Sequence, residues 1–161
     1  MTHVTLPPRA MPERLDYQTT GRAGIEAFKK LGAYVDASGL EQEILDLVQL
    51  RSSHLNGCAY CIDMHTKDMQ AHGESTERIA GVSNWRLAPF YTDRERAALE
   101  WTDAVTNVQD GHVSDEVYHD VRPFFDDKEI VDLTLAVLAI NGWNRLVAAF
   151  RTVPGTYRPS I

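Results

Sequence analysis

The sequence predicts an all-α protein, a single-domain bundle of about six to eight helices, and three observations carry that prediction. From Gly21 onward, apolar residues recur at helical spacing. Several of these stretches are preceded by Ser, Thr or Asp with Glu three residues later, the pattern of a helix start. No segment alternates apolar and polar residues with period two, so nothing reads as a strand. At 161 residues the chain is long enough for one core and too short for two. The first nineteen residues read as an extended arm (1–19) leading into a helical domain (20–161).

In chain order, Gly21 to Val35 carries its apolar residues on one helical face. Ser38 offers an N-cap, with Glu41 completing a capping box, for a helix to about Leu55. Asn56-Gly57 breaks it, and a second helix starts at once near Cys58 and ends at Gly73, giving a tight helical hairpin. Ser75 can cap a short helix to about Val82. Thr92-Asp93-Arg94-Glu95 opens a helix expected to stop at Gly111, and Ser114 caps another to Pro123. Asp126 to Glu129 opens the last helix, which ends before Pro154-Gly155. Between Leu133 and Ile140 that helix is apolar nearly all round, which predicts the central element. Asn141, Trp143, Asn144 and Arg145 follow it and can satisfy backbone groups, meet another subunit or line a pocket. Trp85, Phe90 and Trp143 are the aromatic candidates for a pocket wall.

Composition narrows the partners. The chain is 43% hydrophobic and 24% charged with net charge −7, a balance that argues against nucleic acid or an anionic membrane surface. The start shows no apolar run like a signal peptide, and no stretch approaches the ~20 apolar residues of a membrane span. The expected location is the cytoplasm. Two cysteines are no disulfide framework, and in a reducing compartment such a pair is more often catalytic or metal-binding.

Those two cysteines lie in Cys58-Ala59-Tyr60-Cys61-Ile62-Asp63-Met64-His65. On a helical wheel Cys58, Cys61, Ile62, His65, Met69 and His72 share one side, and Tyr60, Asp63 and Lys67 the other. Residues three apart on a helix have Cα atoms about 5 Å apart, inside the range a disulfide needs. Cys58 at a helix N-terminus favours a thiolate, and His65, one turn beyond Cys61, is placed to take its proton. One sulfur can then be oxidised to a sulfenic acid and the other can resolve it. A carboxylate should orient the histidine. In an antiparallel hairpin about Gly57, Asp46 lies about 16 Å and His65 about 12 Å from the turn, with Glu43 roughly 21 Å away. Asp68, three residues after His65, is a further candidate. Asp46 lies on the far side of its helix from the stripe Ile44, Leu47, Val48 and Leu55, the usual place of a solvated carboxylate.

Leu47-Val48-Gln49-Leu50-Arg51, the stretch Leu55 to His65, Arg14-Leu15-Asp16-Tyr17, Asp93 to Leu99 and Ile140 to Arg145 together resemble the alkyl hydroperoxidase D-like (AhpD-like) branch of the carboxymuconolactone decarboxylase family. The resemblance covers nearly the whole chain. It implies an all-helical fold, a homo-oligomer (often a trimer or hexamer), and reduction of hydrogen peroxide or organic hydroperoxides through a Cys58–Cys61 dithiol/disulfide cycle reset by an unidentified dithiol donor. It also implies a proton relay from a glutamate twelve residues before the first cysteine, through the histidine, to the thiols. Here those positions are Asp46 and His65, with Asp replacing the usual Glu. No cofactor and no metal are expected. The alternatives are a redox sensor or scaffold without turnover, a zinc site on Cys58, Cys61 and His65 with His54 or His72, and a lactone decarboxylase, whose members generally lack the cysteine pair.

Overall fold

The computed structural model describes residues 11–159; the first ten residues of the predicted arm, His3 among them, and residues 160 and 161 lie outside it. Among the described residues it is all-helical: α1 (Tyr17–Thr20), α2 (Arg22–Asp36), α3 (Gln42–Leu55), α4 (Ala59–Ala71), α5 (Thr76–Gly81), α6 (Asp93–Thr106), α7 (Asp115–Val121) and α8 (Asp127–Phe150). Short 3-10 turns at Val82–Asn84 and Val108–Asp110 complete it. The capping boxes of α6 (Thr92 with Glu95) and α8 (Asp126 with Glu129) are both formed. The hydroxyls of Ser75 and Ser114 cap α5 and α7.

The start of α3 departs from expectation. Its N-cap is Glu41, and the Ser38 hydroxyl instead accepts from the Leu40 amide at 3.3 Å. Gly39, at φ 103°, reverses the chain between Ser38 and the helix and takes the serine off its axis. The predicted arm also contains structure: α1 is capped by Asp16, and Tyr17 is buried, stacked on Phe150 with ring centroids 5.2 Å apart.

Two apolar clusters share α3. Ile44, Leu45 and Val48 face a core built with Trp101 of α6, Phe125, and Leu133, Val137 and Ile140 of α8. Leu47 and Leu50 face a second, made with Met69, Ile79, Val82, Trp85, Tyr91 and Leu99. The centre is therefore shared by α3 and α8 rather than held by α8 alone. Sequence patterning hides this because α3 buries Asp46, Ser52 and Ser53. α8 is the one helix among the described residues long and apolar enough to cross a membrane. It packs against α2, α3 and α6, and leaves Val131 and Leu138 exposed.

A polar clamp joins the α3–α4 turn to α8. Asn56 Nδ2 donates to the Ser52 carbonyl (3.0 Å) and to the side-chain oxygens of Asn141 (3.0 Å) and Asn144 (2.9 Å). Asn144 donates to Ser53 Oγ at 3.1 Å, and Ser53 donates to the Gln49 carbonyl. Asn144 is 1% exposed, so truncating it leaves a void and takes a hydrogen-bond partner from Asn56 and from the buried Ser53. Asn144→Ala is expected to cost about 2–3 kcal/mol of stability, read as a lowered denaturant midpoint in urea unfolding followed by circular dichroism.

Candidate active site

The cysteine pair is positioned by the way α3 ends. Asn56 is the C-cap, Gly57 follows in the left-handed region at φ 62°, and the Gly57 and Cys58 amides donate to the carbonyls of His54 (3.1 Å) and Ser53 (3.0 Å). This is a Schellman closure, and its last residue, Cys58, is also the N-cap of α4. Cys58 therefore stands at the free amides of α4, where the helix dipole favours a thiolate. Cys61 lies one turn in, its Cα 5.3 Å from that of Cys58, and the two are joined in a disulfide. Both are buried, packed with Val147 of α8 and against Tyr60.

A cavity of about 330 Å³ opens beside them. Cys61, His65, Met64 and Tyr60 of α4 form one wall, and Ala136, Ile140, Trp143 and Val147 of α8 another. Val35 and Asp36 of α2, Gln49 of α3, and Tyr17 close it. Cys58 is not part of the lining, so Cys61 is the sulfur a molecule in the cavity meets. Gly142 of α8 lets α2 close this wall: a Cβ there would meet the Phe28 ring, which packs on Trp143 at 4.8 Å. Among the aromatic candidates only Trp143 reaches the cavity. Trp85 is buried in the second core, its indole N–H donating to Asp103 at 3.2 Å, and Phe90 lies in an exposed loop.

His65 is buried, and neither ring nitrogen has a hydrogen-bond partner among the described residues. Loss of water disfavours the imidazolium and pushes its pKa down to about 4. It is thus a neutral acceptor across the physiological range. Its nearest recorded carboxylate is Asp68, with Oδ2 3.9 Å from Nδ1. Burial pushes Asp68 upward, opposed by a hydrogen bond donated by the Tyr157 hydroxyl at 2.6 Å.

Asp46 is buried rather than solvated. Its Oδ2 pairs with His72 Nδ1 at 2.7 Å and its Oδ1 accepts from Gln42 Nε2 at 2.9 Å; it makes no hydrogen bond to His65. The bond to Asp46 raises the pKa of His72, which is half-exposed at the end of α4 rather than on its inward face. Glu43 is exposed. His54 does not line the cavity, and burial lowers its pKa. Among the described residues no group of three or more His, Cys, Asp or Glu side chains is placed to hold a metal ion.

The sequence does not mark Tyr17, Asp36, Gln49, Tyr60 or Tyr157 as site residues, although Tyr17, Gln49 and Tyr60 lie in the stretches that carry the family resemblance. Gln49, a polar residue inside Leu47-Val48-Gln49-Leu50, carried a local signal. A helical wheel puts Tyr60 on the outer face of α4, but in the fold it lines the cavity together with Tyr17 of α1 and Trp143 and Val147 of α8.

An all-helical fold thus holds a buried Cys58–Cys61 disulfide with Cys61 and a neutral imidazole on the wall of one largely apolar cavity. The sequence profile of the carboxymuconolactone decarboxylase family matches residues 23–104, and the chain belongs to that family, in its AhpD-like branch. It is 37% identical over 139 residues to the uncharacterised protein YdfG of Bacillus subtilis, covering 86% of this chain and 95% of that one. A crystal structure of an Agrobacterium tumefaciens protein of unknown function, provisionally assigned to AhpD-type antioxidant defence, superposes with a TM-score of 0.88 at 40% identity, over 91% of this chain and all of that one. The alkyl hydroperoxide reductase AhpD of Rhodospirillum centenum is 34% identical over 68 residues, 39% of this chain and 37% of its own length.

The burial of His65 has a consequence for stability. Its pKa is about 4 when folded and 6.5 when unfolded, so between those values the unfolded chain binds more protons. The contribution is fully present above pH 6.5 and is lost as pH falls toward 4, amounting to roughly 3 kcal/mol. Melting temperatures across pH 7 to 4 should fall more steeply for the parent than for His65→Asn.

Proposed function

We propose that the protein is a thiol-dependent peroxidase that reduces organic hydroperoxides or hydrogen peroxide through a Cys58–Cys61 dithiol/disulfide cycle. The observation that carries this reading is that Cys61 and His65 open together onto one apolar cavity, with Cys58 within disulfide reach behind them. Names borne by relatives, an alkyl hydroperoxide reductase among them, support the same chemistry.

In the reduced protein, neutral His65 takes the proton of Cys61. The thiolate attacks the terminal oxygen of the hydroperoxide, the O–O bond breaks, and His65 returns the proton to the departing alkoxide. Cys61 becomes a sulfenic acid and an alcohol leaves. Cys58 then attacks the Cys61 sulfur, water leaves, and the disulfide closes. Two electrons have passed from the dithiol to the peroxide. An external dithiol returns them, and Cys58, stabilised as a thiolate at the α4 N-terminus, suits the role of leaving group in that step. Cavity access favours Cys61 as the attacking sulfur. The need for a thiol donor suits a reducing compartment and so the cytoplasm. The apolar face left exposed by Val131 and Leu138 of α8 supports assembly into a homo-oligomer.

The test is steady-state consumption of cumene hydroperoxide with excess dithiothreitol. Cys61→Ser is expected to abolish reaction. Cys58→Ser, reduced and freed of dithiothreitol before peroxide is added, is expected to react once and stop as a sulfenic acid that dimedone traps. His65→Gln should lower kcat by about 10²–10⁴-fold. Full activity in either cysteine variant would overturn the cycle; a single equivalent consumed by the parent would identify a sensor.

A further inference from the structure

We propose that the carboxylate serving His65 in this protein is Asp68, held in place by Tyr157 of the C-terminal tail, and that Asp46 is engaged elsewhere. The proposal rests on the peroxidase reading above for what the relay accomplishes, and on independent geometry for which residues form it.

The two carboxylates are committed differently. Both oxygens of Asp46 are occupied, one by His72 and one by Gln42. Asp68 divides its oxygens: Oδ1 accepts from the Tyr157 hydroxyl at 2.6 Å, and Oδ2 stands 3.9 Å from His65 Nδ1. That separation is an ion-pair distance rather than a hydrogen bond. The attraction therefore acts when His65 takes up the Cys61 proton and becomes a cation. A buried imidazole with no hydrogen-bond partner is a poor place for a positive charge, and an anion aimed at Nδ1 offsets that penalty only in the protonated state. Asp68 thus assists proton transfer without pre-binding the ring.

Tyr157 is a positioning residue, and the tail that brings it is tied down. Gly155 N–H donates to Asp63 Oδ2 at 3.0 Å, Lys67 Nζ donates to the Tyr157 carbonyl at 3.3 Å, and Lys67 also pairs with Asp63 at 2.8 Å. Asp63, Lys67 and Asp68 thus form a strip along α4 that receives the tail. The groups acting on Asp68 are Tyr157 of the tail, His65 and His72 of its own helix, and Asp46 of α3. Burial, with the like charge of Asp46, pushes the Asp68 pKa above the ordinary carboxylate value, and the Tyr157 bond and the His72 charge limit that rise.

Two readouts test this, one independent of turnover. The first is the pH dependence of iodoacetamide alkylation in reduced Cys58→Ser protein, whose single thiol is Cys61, since the thiolate alone reacts. The second is the kcat–pH profile with cumene hydroperoxide. Asp68→Asn should move the alkylation profile to higher pH, and should lower kcat about tenfold with KM unchanged, with partial recovery in Asp68→Glu. Tyr157→Phe removes a bond that lowers the Asp68 pKa, so the acidic limb of kcat should move to higher pH. The assignment is overturned if Asp68→Asn leaves both readouts as in the parent, or if Asp46→Asn reproduces the losses and Asp68→Asn does not. If the parent turns over no peroxide, the peroxidase reading fails, and the alkylation profile still decides the assignment.

Discussion

The constraint on which the site depends is the closure of α3 at Asn56-Gly57. A helix must dispose of its last carbonyls, and here the amides of Gly57 and Cys58 do so. The same turn leaves Cys58 at the start of α4, so one structure both ends a helix and sets a thiol in the field of the next. The turn would be free to pivot were it not clamped to α8 through Asn56, Asn141, Asn144 and Ser53. Clamping fixes the angle between the hairpin and α8, and the cavity is the space that angle leaves between Cys61 and Trp143.

Burial does two things to the chemistry at once. It removes water from His65, which keeps the ring neutral, with its acceptor lone pair free. It also makes the resulting cation costly, so any anion close by matters more than it would in solvent. The two histidines of α4 show the contrast. His65, without partners, is pushed down; His72, half-exposed and bonded to Asp46, is pushed up. One helix thus carries a neutral base at the middle of its inner face and a cation-favouring ring at its C-terminus, where the helix dipole also favours positive charge.

Away from the site, arginine–carboxylate clusters hold the frame. Arg51 of α3 bridges bidentately to Asp103 of α6 at 2.5 and 3.0 Å, and Asp103 also accepts from the Trp85 indole. Arg94 joins Glu41 and Glu129, tying the start of α6 to the starts of α3 and α8. Arg78 pairs with Glu74 and Glu95, which fixes α5 against the start of α6. These buried or half-buried pairs orient elements that apolar packing alone would leave free to slide.

Sequence alone determined the helical class, the capping boxes of α6 and α8, the hairpin at Gly57 and the placement of Cys58, Cys61 and His65 on one helix. All of these follow from spacing within a few residues, because helix geometry is local and a wheel projects it faithfully. It did not determine that α3 shares the core, since a helix that buries Asp46, Ser52 and Ser53 looks half-solvated until their partners are known. It did not find Tyr60 as cavity wall or Tyr157 beside Asp68, and it named Asp46 as the carboxylate for His65, with Asp68 and Glu43 as alternatives. Those facts belong to contacts between residues far apart in the chain, such as Tyr157 with Asp68, 89 positions apart. Which of two nearby carboxylates is free to face a buried imidazole is decided by what else bonds to them, and that exists only once the chain has packed.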